Sequence, residues 1–195
     1  TQRRSKSISR NRPSDHGLDA MARGTLVHRM FEVWDFARDT LPALEEIVNA
    51  SGCSLRRREA LTEDLKNIAD DFRDNPLFDR LAADTALERE APFSLNLGDT
   101  LITGTIDVLL SDGTLVDYKT GAFDEERNAR YEWQLLLYAI AVEKLLDITP
   151  KQGFLYYVDE GKLHEHPLHD DDMNWALQHA REAIAVLQHT EPDAG

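Results

Sequence analysis

Two acids ten residues apart, and a lysine two residues beyond the second, are the residues of this chain best placed to do chemistry. Asp107 lies in Gly104-Thr-Ile-Asp107-Val-Leu-Leu, and Asp117 and Lys119 in Leu115-Val-Asp117-Tyr118-Lys119-Thr-Gly121. Apolar residues flank all three, and buried charge is costly unless it is paired or holds a metal. Strand residues alternate faces, so Asp117 and Lys119 point one way and Tyr118 the other. Two adjacent strands would thus converge two carboxylates and an ammonium. That set suits a divalent cation and a polarised water attacking a phosphodiester. The segments taken alone equally fit a solvated hairpin: Ser111-Asp-Gly-Thr114 is a strong turn signal, and half-exposed strands commonly carry charges outward.

Other segments add to the pattern. Gly24-Thr-Leu-Val-His28 lies on a helical stretch, and Tyr131-Glu-Trp-Gln134-Leu-Leu-Leu-Tyr138 on another. Tyr131, Gln134 and Tyr138 share one helix face. Aromatic residues at that spacing commonly serve a core, but a buried glutamine needs partners.

In order and spacing, these segments resemble the RecB-type nucleases of the PD-(D/E)XK superfamily from about Gly24 to Tyr138. The resemblance implies a restriction-endonuclease-like α/β core, a mixed central β-sheet flanked by helices, with a helical N-terminal third. It implies Mg²⁺ or Mn²⁺ held by His28, Asp107, Asp117 and the carbonyl of Tyr118. Neutral imidazole beside carboxylates suits these ions. Lys119 would orient the attacking water or stabilise developing charge, and Gln134 and Tyr138 would reach toward the scissile phosphate. Glu90, where the family often has a glutamate, and Glu32, one turn past His28, are secondary candidates. Arg127 and Arg130 are candidates for phosphate contacts.

The implied activity is metal-dependent hydrolysis of DNA by an exonuclease module. Such domains sit at the C-terminal end of helicase-nuclease polypeptides such as AddA or RecB, in double-strand break repair and recombination. The alternatives are a stand-alone single-strand DNA exonuclease and a catalytically silent module that binds DNA or a partner. The expected partners are single-stranded or unwound DNA ends and a helicase, in the same polypeptide or on a separate chain. No Gly-x-x-x-x-Gly-Lys-Ser/Thr loop occurs in this chain, so an ATPase would lie elsewhere.

Bulk composition sets the bounds. The 195 residues suffice for one substantial core. We expect a flexible basic arm or linker over residues 1–14 and one nuclease domain over 15–195, helical through 84 and sheet-containing from 85. The chain starts at Thr1 rather than Met, as a segment of a longer protein would. Its first residues are basic and polar without the apolar run of a signal peptide. No stretch is apolar enough to span a membrane. A cytoplasmic location, with no membrane partner, is expected. The single cysteine, Cys53, excludes an internal disulfide framework and a four-cysteine iron–sulfur cluster. The formal net charge is −14. Arg3, Arg4, Lys6, Arg10 and Arg12 all fall in the arm, so the remainder is more acidic still. Such a charge opposes tight DNA binding by the chain alone.

Hydrophobic spacing predicts helices at 18–38, 42–50, 58–74 and 76–83, and strands at 87–97, 101–110 and 114–120. A helix at 129–146 follows, with Leu135, Tyr138, Ala139, Val142 and Leu145 inward. A hairpin at 152–158 and 162–167 and a closing helix at 170–188 complete the reading.

Overall fold

A computed structural model describes residues 20–190, with side chains to 186, so the basic arm lies outside the described residues. Four helices come first: α1 (Ala20–Val33), α2 (Leu44–Ala50), α3 (Leu55–Arg73) and α4 (Pro76–Ala83). Three antiparallel strands follow: β1 (Glu88–Leu97), β2 (Thr100–Leu109) and β3 (Leu115–Lys119). Helix α5 (Glu125–Leu146) then crosses over to the β4 (Gln152–Tyr157) and β5 (Lys162–Pro167) hairpin, and α6 (Asp170–Thr190) closes the chain. The sheet order is β1-β2-β3-β4-β5. Among the described residues only β3 and β4 pair in parallel, as a helical crossover requires.

Strand alternation divides the interior into two cores. On one face Val116, Tyr118, Phe154, Tyr156 and Val158 pack against α1 to α4, with Met30, Phe31, Trp34 and Phe72 at the centre. On the other face Leu115, Leu155 and Tyr157 meet Leu135 and Ala139 of α5 and Met173 and Ala176 of α6. Helices thus cover both faces of a mixed sheet.

Local chemistry sets the element ends, and some differ from expectation. The first helix stops at Val33 instead of running to residue 38. Trp34 and Phe36 are both buried, a spacing of two that a continuing helix cannot bury on one face. The Asp35 carboxylate instead accepts from the Arg38 N–H at 3.1 Å and caps a short 3₁₀ turn, Phe36–Arg38. Pro42 lies two residues before α2 rather than opening it. Asn75 caps α4 by accepting from the Leu77 N–H, with Pro76 in the first turn. Asp124 caps α5, whose first residue comes four positions earlier than predicted. Leu145, expected inward on α5, is 53% exposed.

One irregularity shapes the sheet. Glu90, inside β1, has φ +48°. The β1–β2 ladder runs from Arg89–Val108 to Ala91–Ile106 and skips the Glu90–Asp107 pair between them. The ribbon changes faces at that step. Leu87 packs on the first core and Arg89 lies over the Phe36 ring. Ala91, Phe93 and Leu95, at the same parity, belong to the second core. On β2, Ile106 faces the second core and Val108 the first. Glu90 and Asp107 therefore sit at the seam between the two cores.

Candidate active site

The registers align three acids across three strands. Glu90 stands opposite Asp107, and Asp117 would be opposite Asp107 one step beyond the last β2–β3 pair, Val108–Val116. The ladder ends there because the Asp107 carboxylate takes the place of the next backbone acceptor. Its Oδ2 accepts from the Tyr118 N–H at 2.7 Å. In an extended strand the N–H and C=O of one residue leave by the same edge. Lys119 presents its carbonyl to β4, where the Val158 N–H donates to it at 3.0 Å. The Tyr118 carbonyl is therefore aimed at the gap beside Asp107. The Tyr118 ring points away and stacks on Phe31, centroids 4.1 Å apart.

Helix α1 supplies the histidine. Its Gly24 approaches the end of β3 closely: a Cβ there would lie 3.2 Å from Thr120 Oγ1. One turn on, His28 Nδ1 is 3.2 Å from Asp107 Oδ1. Burial disfavours the imidazolium, but the hydrogen bond to Asp107 and the charges of Asp107, Asp117 and Glu90 outweigh it and hold the pKa above the usual value. Ligand atoms of His28, Glu90 and Asp107 all lie within 4.8 Å of one another, a spacing that suits one cation. Burial, then the Asp107 charge, raises the Glu90 pKa against the pull of His28.

Asp117 is set apart from that trio. It is 3% exposed, and Lys119 Nζ lies 2.5 Å from its Oδ2, in a contact without hydrogen-bond alignment. Burial and the Asp107 charge push its carboxyl up to about 6, against the pull of Lys119. Lys119 also donates to Gln134 Oε1 at 2.9 Å, and Gln134 Nε2 donates to Tyr138 Oη at 2.5 Å. The Tyr131 ring lies under the ammonium, 4.0 Å from Nζ. Tyr131 and Gln134 thus meet Lys119, and Tyr138 is linked to it through Gln134. Tyr138 in turn meets Phe93 edge-on at 5.4 Å. Phe93 covers Gly104, where a Cβ would lie 2.7 Å from its ring.

The structure brings Asp107, Asp117, Lys119, Gln134 and Tyr138 into one cluster with His28. It raises Glu90 from a secondary candidate to a member of the trio. Glu32 is instead paired with Arg29 at 2.6 Å. Arg130 is paired with Glu126, and Arg127 lies 3.7 Å from Asp124, so both are engaged at the start of α5.

Residues 3–194 match the family model of the PD-(D/E)XK nuclease superfamily. The chain belongs to that superfamily. An ATP-dependent helicase/nuclease polypeptide of Bacillus cereus (strain AH187) is 32% identical over 176 residues, 73% of this chain and 14% of the relative. The Bacillus anthracis protein of the same name matches with the same identity and coverage. The chain thus spans about a seventh of the length of these relatives. Among solved structures, a candidate exonuclease from Eubacterium rectale superposes with a TM-score of 0.64 at 13% identity. The match covers 87% of this chain and 66% of that one, and shows a common fold. Among the described residues no helix is long and apolar enough to cross a membrane.

Proposed function

We propose that this superfamily member is a Mg²⁺- or Mn²⁺-dependent deoxyribonuclease, acting as the exonuclease module of a helicase-nuclease in DNA break repair and recombination. The observation that carries the reading is the row Glu90–Asp107–Asp117, closed by His28 on one side and Lys119 on the other. A divalent ion fits these residues because the three carboxylates of Glu90, Asp107 and Asp117 face one ammonium, that of Lys119, with the His28 ring beside them. His28, Asp107, Asp117 and the Tyr118 carbonyl would hold it, with Glu90 in reach. A divalent cation bound there supplies positive charge to a phosphate oxygen and acidifies a water. The remaining chemistry belongs to side chains. Lys119, fixed by Gln134 and the Tyr131 ring, presents an ammonium where charge develops on phosphorus. Gln134 and Tyr138 present polar atoms to a phosphate on the same side. Asp107 keeps the β2–β3 gap open by holding the Tyr118 N–H.

The helicase association is supported by the name of the relatives and by the fraction of their length that this chain spans. DNA cleavage measured with Mg²⁺, with Mn²⁺ and with chelator tests the activity. The wild-type chain should cut only with metal, and Asp107→Asn and Lys119→Met should each lower the rate on the order of 10²-fold. Metal-independent cutting, or wild-type rates in both variants, refutes the site. Single-stranded against blunt double-stranded substrates, with blocked 5′ or 3′ ends, separate exonuclease from endonuclease action.

A further inference from the structure

A second polar cluster lies beside the site without being part of it. Arg23, just before Gly24 on α1, forks between two carboxylates. Its NH1 and NH2 meet Asp159 at 3.1 and 2.6 Å, and its Nε and NH2 meet Asp64 of α3 at 2.7 and 3.2 Å. All three side chains are about four-fifths buried. Asp159 lies in the β4–β5 turn, and its Oδ2 also accepts from the Gly121 N–H at 2.5 Å. Gly121 follows Lys119 by two residues and has φ +95°, so this amide sits in a bend that side-chain-bearing residues rarely adopt. Val158, next to Asp159, donates its N–H to the Lys119 carbonyl. One carboxylate thus ties the helix that carries His28 to the chain that leaves Lys119.

We propose that Asp159 is a positioning residue for the metal site, acting on His28 through Arg23. Besides the packing of Leu26, Val27, Met30 and Phe31 into the first core, two polar contacts tie α1 to the sheet and its turns. One is the His28–Asp107 bond, and the other is the Arg23–Asp159–Gly121 clamp about 7.5 Å along the helix axis. Bidentate arginine pairs fix direction as well as distance. Gly24 has no side chain to hold α1 off Thr120, so the clamp sets how far the helix face stands from the end of β3. Releasing it lets the upper end of α1 lift and turns His28 away from Asp107. Partners behind a metal ligand commonly change metal affinity 10- to 100-fold.

The inference rests on His28 as a metal ligand, and the test separates the two ideas. Mn²⁺ binding to the full chain is followed by calorimetry, alongside the ring resonances of His28 in the metal-free protein. Asp159→Ala and Arg23→Met should each weaken Mn²⁺ binding about 10-fold, and the double variant no more than either alone. Asp159→Asn, which keeps an acceptor for Gly121, should show a smaller loss. In a His28→Ala background Asp159→Ala should add nothing, because the clamp acts through that ring. An equal loss in the presence and absence of His28, or unchanged Mn²⁺ affinity, overturns the proposal. The ring resonances need no metal: they should move in Asp159→Ala, and unmoved resonances overturn the clamp on their own. A wild-type chain that takes up no Mn²⁺ refutes the metal reading instead, and the clamp is then decided by the resonances.

Discussion

At the scale of residues, the site holds charge against resistance. Asp117 ionises near 6 in the fold against 3.8 for a free side chain, because burial and Asp107 outweigh Lys119. A group so raised stabilises the folded chain fully below about 4, and that contribution is lost as pH rises through about 6. His28, raised above 6.5, adds stability that persists below 6.5 and is lost as pH climbs past its folded value. The metal-free protein should therefore melt higher at pH 5 than at pH 8, and Mn²⁺ should recover the difference at pH 8. Calorimetric scans with chelator and with metal check this, and a melting temperature that rises with pH refutes it. Asp35, Asp84, Asp112 and Glu160 are shifted downward, but they lie near the surface, where solvent screens them, and titrate below this window. His166, lowered by burial, opposes His28 within the window, and the deeper burial of Asp117 and His28 sets the net sign. Glu90 resists in a different way, through a left-handed backbone that costs a side-chain-bearing residue about 1–2 kcal/mol. Glu90→Gly removes that strain, partly offset by the greater freedom of glycine in the unfolded chain. The variant should match or slightly exceed the wild type in chelator melts while binding Mn²⁺ more weakly. A marked loss of stability would mean that the carboxylate itself holds the ribbon together.

At the scale of elements, the close approach of Gly104 to Phe93 decides where an α5 side chain stands. A methyl group at 104 would press on the Phe93 ring, and that ring supports Tyr138. Gly104→Ala should cost about 1–3 kcal/mol of stability and lower cleavage as well. Adding Phe93→Leu should restore much of the melting temperature without restoring the rate, since Tyr138 then lacks its neighbour. Recovery of both would show that the ring acts on packing alone. The acids of β2 and β3 were legible in the sequence because apolar neighbours on both sides make a charged residue conspicuous. His28 was legible only through the resemblance carried by Gly24-Thr-Leu-Val-His28, and Gln134 because a buried amide needs partners. Glu90 was harder to rank. Its position depends on a reversal of strand alternation, and no residue type announces a left-handed glutamate. The end of α1 escaped for a related reason: Trp34 and Phe36 continue an apolar run, and only the Asp35 cap shows that the backbone has turned. The Arg23 clamp joins three distant segments by charge, a pairing that spacing along the chain does not encode.

At the scale of the whole molecule, charge and connectivity set the limits. With a formal net charge of −14 the chain repels a phosphate backbone at long range. Fluorescence anisotropy in near-physiological salt should give DNA dissociation constants weaker than about 10⁻⁶ M, and attachment to a helicase should strengthen capture. Tight binding by the chain alone would contradict this. Connectivity acts during synthesis and folding. The strands that carry Glu90, Asp107, Asp117 and Lys119 follow one another through short turns, so they can pair early. His28 must close a loop of 79 residues to reach Asp107, a contact of long sequence separation that pays its entropy before it gains anything. A chain stalled short of its native packing has the acids in place while the imidazole is still undocked. On the proposed function, the cutting centre is complete only once α1 has docked, so cleavage should appear no earlier than the last folding phase in a refolding time course.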